Sequence, residues 1–280
     1  MRTRSALRQA PSTACAPPPT VGRRHCPGPR RFLGLPVGAT PPRAPADVEI
    51  LGAPAAGVLT LALGAYLFGA IPTAYLAVRF RRGADIRQLG SGNVGGANAI
   101  QAIGRTPGLI VMAFDVFVKG PLPVIVAGYL LDYDKGVEVV AGCAALMGHN
   151  WSVFLGFSGG RGLGTGSGVM FAMAPPIWFI FAGIGLVYWT ITRNSPVGWM
   201  TALLLQPFIV AGFGLPREYV VYAALFAVIS GIKRVASNPG ERRLPDESRE
   251  MSHLHIYWNR LIYDRDIKDR EAWLRGDAGR

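Results

Sequence analysis

The sequence predicts an all-α polytopic membrane protein, and three observations carry that expectation. No charged residue occurs from Leu51 to Val78, from Gly162 to Thr192, or from Asn194 to Pro216. Each of these stretches exceeds the roughly 20 residues that cross a bilayer as a helix. Basic residues gather in the short connections between apolar stretches, the arrangement by which Lys and Arg orient helices in a membrane. The three cysteines, Cys15, Cys26 and Cys143, form neither a CxxC pair nor a zinc spacing, which excludes a disulfide-scaffolded secreted domain.

The formal charge of +12 does not point to nucleic acid. Eight arginines precede residue 48, where the only acid is Asp47, and no nucleic-acid-binding motif accompanies them. Residues 1–50 read as a leader rich in Pro, Arg, Ala and Gly, without period or apolar face, and disorder is expected there. Residues 51–235 form the transmembrane domain, and residues 236–280 a charged cytoplasmic tail. In the tail, Ile256, Tyr257, Trp258, Leu261 and Ile262 interrupt the charge and suit a helix lying in the lipid interface or packing on the domain.

About seven spanning helices are expected. The first, about 53–78, is followed by Arg79, Arg81, Arg82 and Arg87, which place that connection in the cytoplasm. The second, about 107–131, emerges at Asp132 to Gly136, and a third returns over about 137–154. Pro175-Pro176 breaks the stretch 162–192 into two short helices, because two prolines remove two backbone donors. Spans at about 197–213 and 218–232 then bring the tail inside.

The polar candidates cluster in the cytoplasmic connections. Residues 90–98 read Gly-Ser-Gly-Asn-Val-Gly-Gly-Ala-Asn, a loop that serves as a turn or lets backbone N–H groups cradle phosphate. Residues 148–165 form a second glycine-rich loop on the same side, with Arg161 at its centre. An arginine there can clamp phosphate in a bidentate manner. His149, near a span end, is either a buried structural histidine or an acid–base group. Asp115 and Lys119, four residues apart in the second span, form either a helix-locking pair or a functional one. No carboxylate cluster suggests a metal site, and no cofactor is expected.

The combination SGNVGGAN, FDVFVKGPLPV, GHNWSVFLGFSGGRGLGTGSGV and TRNS, in that order over about residues 60–235, resembles the acyl-phosphate:glycerol-3-phosphate acyltransferases of bacterial phospholipid synthesis, the PlsY family. The resemblance implies a multi-pass inner-membrane enzyme with its site facing the cytoplasm. Its partners would be acyl phosphate, glycerol 3-phosphate and the lipid bilayer, and its products lysophosphatidic acid and phosphate. It makes Ser91, His149 and Arg161 the catalytic candidates. Gly92, Asn93, Gly95 and Asn98 of the first loop would hold substrate, with Gly159, Gly160, Gly162 and Thr165 of the second and Arg193 and Ser195 of a later polar loop.

The chain departs from that family's pattern at several positions. Ala97 stands for the usual Thr, Gln101 for Arg, Ser158 for Lys and Arg161 for Lys, and the Asp115-to-Lys119 interval is one residue longer. A closing motif with His and Asn would fall near Val228 to Val235, where only Ile232 and Arg234 agree. His255 and Asn259 in the tail carry the missing residue types at another spacing, and they substitute for that motif if the tail folds back. A changed acceptor, a non-catalytic homologue and, last, a transporter stay open beside the family reaction.

Overall fold

The computed structural model describes residues 48–237 and 251–269. The expected disordered leader, residues 1–47, lies outside the described residues. The chain enters as a small antiparallel hairpin, β1 (Glu49–Ile50) and β2 (Ala53–Pro54), with Ile50 opposite Ala53. The hairpin takes in residues 48–50, which the sequence reading leaves to the leader.

Helix α1 (Ala55–Ala70) and α2 (Thr73–Arg82) form one apolar stretch of 28 residues interrupted at Ile71-Pro72. Pro72 has no N–H to continue the ladder and pushes Ile71 out of the helical region, to φ −55° and ψ 115°. The break frees the Ile71 carbonyl for the site described below. After the first glycine-rich loop come α3 (Gly96–Ile103) and the long α4 (Arg105–Leu130). Helix α4 widens to π geometry at Asp115–Lys119 and again at Val126–Leu130, where N–H groups bond five residues back, Gly120 to Asp115 and Leu131 to Val126. Such turns frequently mark functional sites.

Helix α5 (Lys135–Asn150) packs along α1. A methyl group at Gly69 would collide with the Ala145 carbonyl, and one at Gly148 with the Tyr66 carbonyl, so small residues let these backbones touch. Helix α6 (Leu163–Met173) uses glycine in the same way. A methyl at Gly168 would meet the Val116 carbonyl of α4, and one at Gly166 would meet the Phe226 ring. Helices α7 (Pro175–Thr192), α8 (Ser195–Gly212) and α9 (Arg217–Ala236) complete the bundle. Its core centres on Val169, Met170, Leu203, Tyr222 and Phe226, all buried, with the Tyr222 hydroxyl donating to the Gly166 carbonyl at 2.8 Å. At the end of α5 away from the loop 148–165, Glu138 accepts from Lys135 Nζ at 2.7 Å and from the Tyr219 hydroxyl at 2.9 Å, tying α5 to α9.

Among the described residues, five helical stretches are long and apolar enough to cross a membrane: Ala55–Arg82, Arg105–Leu130, Pro175–Thr192, Ser195–Gly212 and Arg217–Ala236. Helices α5 and α6, at 16 and 11 residues, are shorter. The sequence reading expects two short helices around Pro175-Pro176, but only α6 is short, and α7 runs for 18 residues. The reason is local. The break falls at Ala174, and the two prolines occupy the first two positions of α7, where missing N–H groups cost nothing. The tail contributes a further helix, α10 (His253–Tyr263), packed on α8 and α9. Ile256 is buried in that contact, while Leu254, Tyr257 and Trp258 are exposed.

Candidate functional site

The first glycine-rich loop is organised by one buried amide. Asn98 Nδ2 donates to the carbonyls of Ile86 (3.2 Å), Leu89 (2.9 Å) and Asn93 (3.0 Å), while its Oδ1 accepts from Ser91 N–H at 3.2 Å. Asn98 is 1% exposed. Gly90 and Gly92 take φ values of 53° and 73°, and a methyl at Gly90 would run into the side-chain Oδ1 of Asn98. The turn before the loop is held by Asp85, which caps Arg87 N–H at 2.9 Å and pairs with its guanidinium at 2.6 Å. That guanidinium holds the Asp85 carboxyl below its ordinary value.

Beneath this loop, the break in the first span meets the π turn of α4. Lys119 Nζ lies 2.6 Å from Asp115 Oδ1 and donates to the freed Ile71 carbonyl at 2.8 Å and to Thr73 Oγ1 at 3.0 Å. Thr73 Oγ1 in turn lies 2.9 Å from Asp115 Oδ1. Both charges are buried, and each has a partner of opposite sign and further hydrogen bonds, the condition under which ions persist away from water. The pair locks α4 to α1–α2 and also borders the site. Asp115 Oδ2 is 4.0 Å from His149 Nδ1 at the end of α5.

The second glycine-rich loop leaves α5 at His149. Gly160 N–H donates to the His149 carbonyl at 3.0 Å, Phe157 N–H to the Ser152 carbonyl at 2.8 Å, and Tyr66 OH to the Trp151 carbonyl at 2.8 Å. A methyl at Gly159 would strike the His149 and Asn150 carbonyls, and one at Gly160 the His149 imidazole. Gly162, at φ 77°, starts α6. Arg161 is thereby aimed across the mouth of the bundle, its Nη1 donating to the Lys233 carbonyl at 3.3 Å.

These elements enclose a cavity of about 400 Å³. One part of its wall is polar: Asn93, Gly95, Asp115, His149, Arg161, Ser195, Arg234 and Asp264. Another is apolar: Met112, Leu163, Trp178, Phe181 and Trp199. Trp178 belongs to an aromatic cluster with Phe117, Phe171 and Phe179, ring centroids 5.1 to 5.5 Å apart, which fixes that part of the wall. Both ends of the α6–α7 pair reach the cavity, through Gly162 and Leu163 at the start and Ser195 just past the end.

Several residues singled out in sequence have other places. Ser91 lines a smaller pocket beside the cavity, together with Arg161, Arg260 and Asp264. Gly92, Asn98, Gly159, Gly160 and Thr165 do not line the cavity. Asn98 shapes the first loop from within, Gly159 and Gly160 allow the second to close on His149, and Thr165 is fully buried in α6. Arg193 ends α7 in the left-handed conformation, its guanidinium 5.9 Å from the Trp189 ring centroid and away from the cavity. Gln101 is exposed on α3, and Ser158 is buried in a backbone bridge with Ser152, so neither restores a cation to the cavity.

The apolar wall and two charged site residues escape the sequence reading. Arg234 lines the cavity, donates from Nη1 to the Pro196 and Leu261 carbonyls at 3.2 and 3.1 Å, and has its Nε buried with no partner among the described residues. The agreement of Ile232 and Arg234 with the closing motif is the signal that points to it. Asp264 also lines the cavity and has no such signal. The tail folds back as the His255–Asn259 expectation requires, but with different residues. His255 is exposed on a separate groove, and Asn259 is buried, donating to the Asp266 carbonyl at 2.9 Å. The two side chains lie one turn apart on the same side of α10, Asn259 toward the domain and His255 at its solvent edge, and it is the turn after the helix that reaches the cavity.

The glycerol-3-phosphate acyltransferase family model matches residues 59–239. Glycerol-3-phosphate acyltransferase 4 of Dehalococcoides mccartyi (strain CBDB1) is 36% identical over 215 residues, covering 75% of this chain and 89% of its own. Glycerol-3-phosphate acyltransferase 2 of Moorella thermoacetica (strain ATCC 39073 / JCM 9320) is 40% identical over 165 residues, 59% of this chain and 84% of its own. The crystal structure of PlsY (YgiH), an integral membrane glycerol 3-phosphate acyltransferase, in its glycerol 3-phosphate form superposes with a TM-score of 0.60 at 30% identity, covering 64% of this chain and 88% of that one. Its lysophosphatidic acid form gives 0.58 at 28%, with the same coverage. The family model spans more than half of the chain and the relatives are matched over most of their length, and the chain belongs to the glycerol-3-phosphate acyltransferase family.

Proposed function

We propose that the chain transfers an acyl group from acyl phosphate to the 1-hydroxyl of glycerol 3-phosphate, giving lysophosphatidic acid and inorganic phosphate. The reaction takes place at the cytoplasmic mouth of a helix bundle in the bacterial inner membrane. The observation that carries this reading is the divided wall of the cavity. Arg161, Arg234, Asn93 and glycine backbone suit phosphate, and Trp178, Phe181, Trp199 and Met112 suit an acyl chain.

Acyl phosphate is an activated mixed anhydride, so the enzyme's task is chiefly to orient donor and acceptor and to stabilise developing charge. The acceptor oxygen bonds to the acyl carbon, the bond from that carbon to the phosphate oxygen breaks, and phosphate departs with its charge on the arginines. The hydroxyl proton passes to a base. His149, which lines the cavity beside Asp115, is the protein group placed for it, and a substrate phosphate is the other acceptor. The basic connections Arg79 to Arg87 and Lys233-Arg234 support a cavity that faces the cytoplasm.

The test is transfer from acyl phosphate to radiolabelled glycerol 3-phosphate by purified protein in detergent, with acyl-CoA as competing donor and Arg161→Ala as control. Lysophosphatidic acid made from acyl phosphate and lost in the control is the expected result. A folded protein that binds acyl phosphate yet makes no product overturns it. One observation favours a second reading with another acceptor: Gln101 and Ser158 supply no cation where the family pattern has two. A screen of polyol phosphates and free polyols in the same assay separates the two.

A further inference from the structure

We propose that Asp264, in the tail beyond the family match, is a positioning residue for Arg161, so that the segment 251–269 forms part of the substrate site. This rests on the reading of Arg161 as a phosphate clamp. Asp264 Oδ1 lies 2.8 Å from Arg161 Nε, and the Lys233 carbonyl takes Arg161 Nη1 at 3.3 Å. The guanidinium is thus held at two edges by two different elements. An arginine carries many rotamers, and one already fixed in place loses less freedom when it captures an anion.

The tail is built to deliver that carboxylate. Asp264 ends α10 at φ 59°, a left-handed conformation unfavourable for a residue with a side chain, and its N–H donates to the Arg260 carbonyl at 3.0 Å. The turn is closed by an ion pair between Arg260 and Asp266 and by Asn259 donating to the Asp266 carbonyl at 2.9 Å. Arg234 fastens the helix through the Leu261 carbonyl at 3.1 Å, and Arg260 fastens it to the Val235 carbonyl at 3.3 Å. Ile256 and Ile267 are buried on either side of the turn. Asp264 itself lines both the cavity and the smaller pocket that holds Ser91.

Asp264→Gly is the decisive variant, because glycine relieves the left-handed backbone while deleting the carboxylate. The melting temperature in detergent should hold or rise. The KM for whichever phosphate-bearing substrate Arg161 holds should rise about tenfold, and kcat should stay within about threefold. Asp264→Glu should recover part of the loss, and Asp264→Gly should add nothing in an Arg161→Ala background. Unchanged kinetics in Asp264→Gly overturn the proposal. So does a lowered KM, which would make the carboxylate a competitor of phosphate. If Arg161→Ala itself leaves transfer intact, the clamp reading falls and this proposal with it. If Arg161→Ala abolishes transfer while Asp264→Gly is silent, only this proposal falls.

Discussion

The loop at residues 90–98 is built around one buried polar side chain, Asn98, whereas the loop at residues 148–165 leaves its shape to backbone contacts and turns a charged side chain toward the cavity. In the first, Asn98 satisfies three carbonyls and one N–H, so its amide is consumed by the loop itself. In the second, Gly159 and Gly160 fold tightly against His149, and Arg161 brings a cation to the cavity. Both loops are rich in glycine, four of nine residues in the first and six of eighteen in the second. What separates a scaffolded turn from a ligand-facing one is where the side-chain donors and acceptors find their partners.

The comparison breaks most visibly at Arg161. Arg161→Ala should lower kcat/KM for acyl transfer by about a hundredfold or more, as loss of one charge-stabilising donor does, with little change in melting temperature. Asn98→Ala should show the opposite profile. It strands buried carbonyls and should cost about 3 kcal/mol of stability, read as a lowered melting temperature in detergent. Measured well below that temperature, its KM values should stay near wild type. Equal kinetic damage in a stable Asn98→Ala protein would place that side chain on substrate and erase the distinction.

The glycines sharpen it further. Gly160→Ala drives a methyl into the His149 imidazole and should reduce transfer about tenfold by moving a cavity-lining group. Gly95→Ala should stay within about twofold. Gly95 is extended at φ −146°, and an added methyl meets only Asn93 Nδ2, at 3.3 Å. The smallest effect belongs to Asp85, whose pair with Arg87 is partly exposed. Its carboxyl is held below the ordinary value by Arg87, so its contribution is present above the unfolded carboxylate value and lost as pH falls through the lower folded one. Asp85→Asn should therefore lower the melting temperature slightly at pH 7, and the difference from wild type should close only below about pH 4.

Much of the architecture follows from the sequence alone. Uncharged stretches longer than a bilayer demand helices whatever they pack against, because backbone groups in hydrocarbon must bond within their own segment. Pro72 and Pro175-Pro176 interrupt the ladder because proline brings no N–H, although the length of α7 depended on where the first helix stopped. Asn93, Arg161 and Ser195, which motif order singles out as candidates, line the cavity. The tertiary structure decided the rest. Asn98 and Arg193 carry the same residue types as a ligand-binding pair, and only packing assigns one to a loop interior and the other to a helix end beside Trp189. Arg234 and Asp264 meet Arg161 across 73 and 103 positions of chain, while Trp178, Phe181 and Trp199 become one wall through the crossing of α7 and α8. Hydropathy and spacing report what a residue does within its own helix. A binding cavity is made by residues distant in sequence, and their meeting is fixed by the packing of glycine-lined helices and by the docking of the tail.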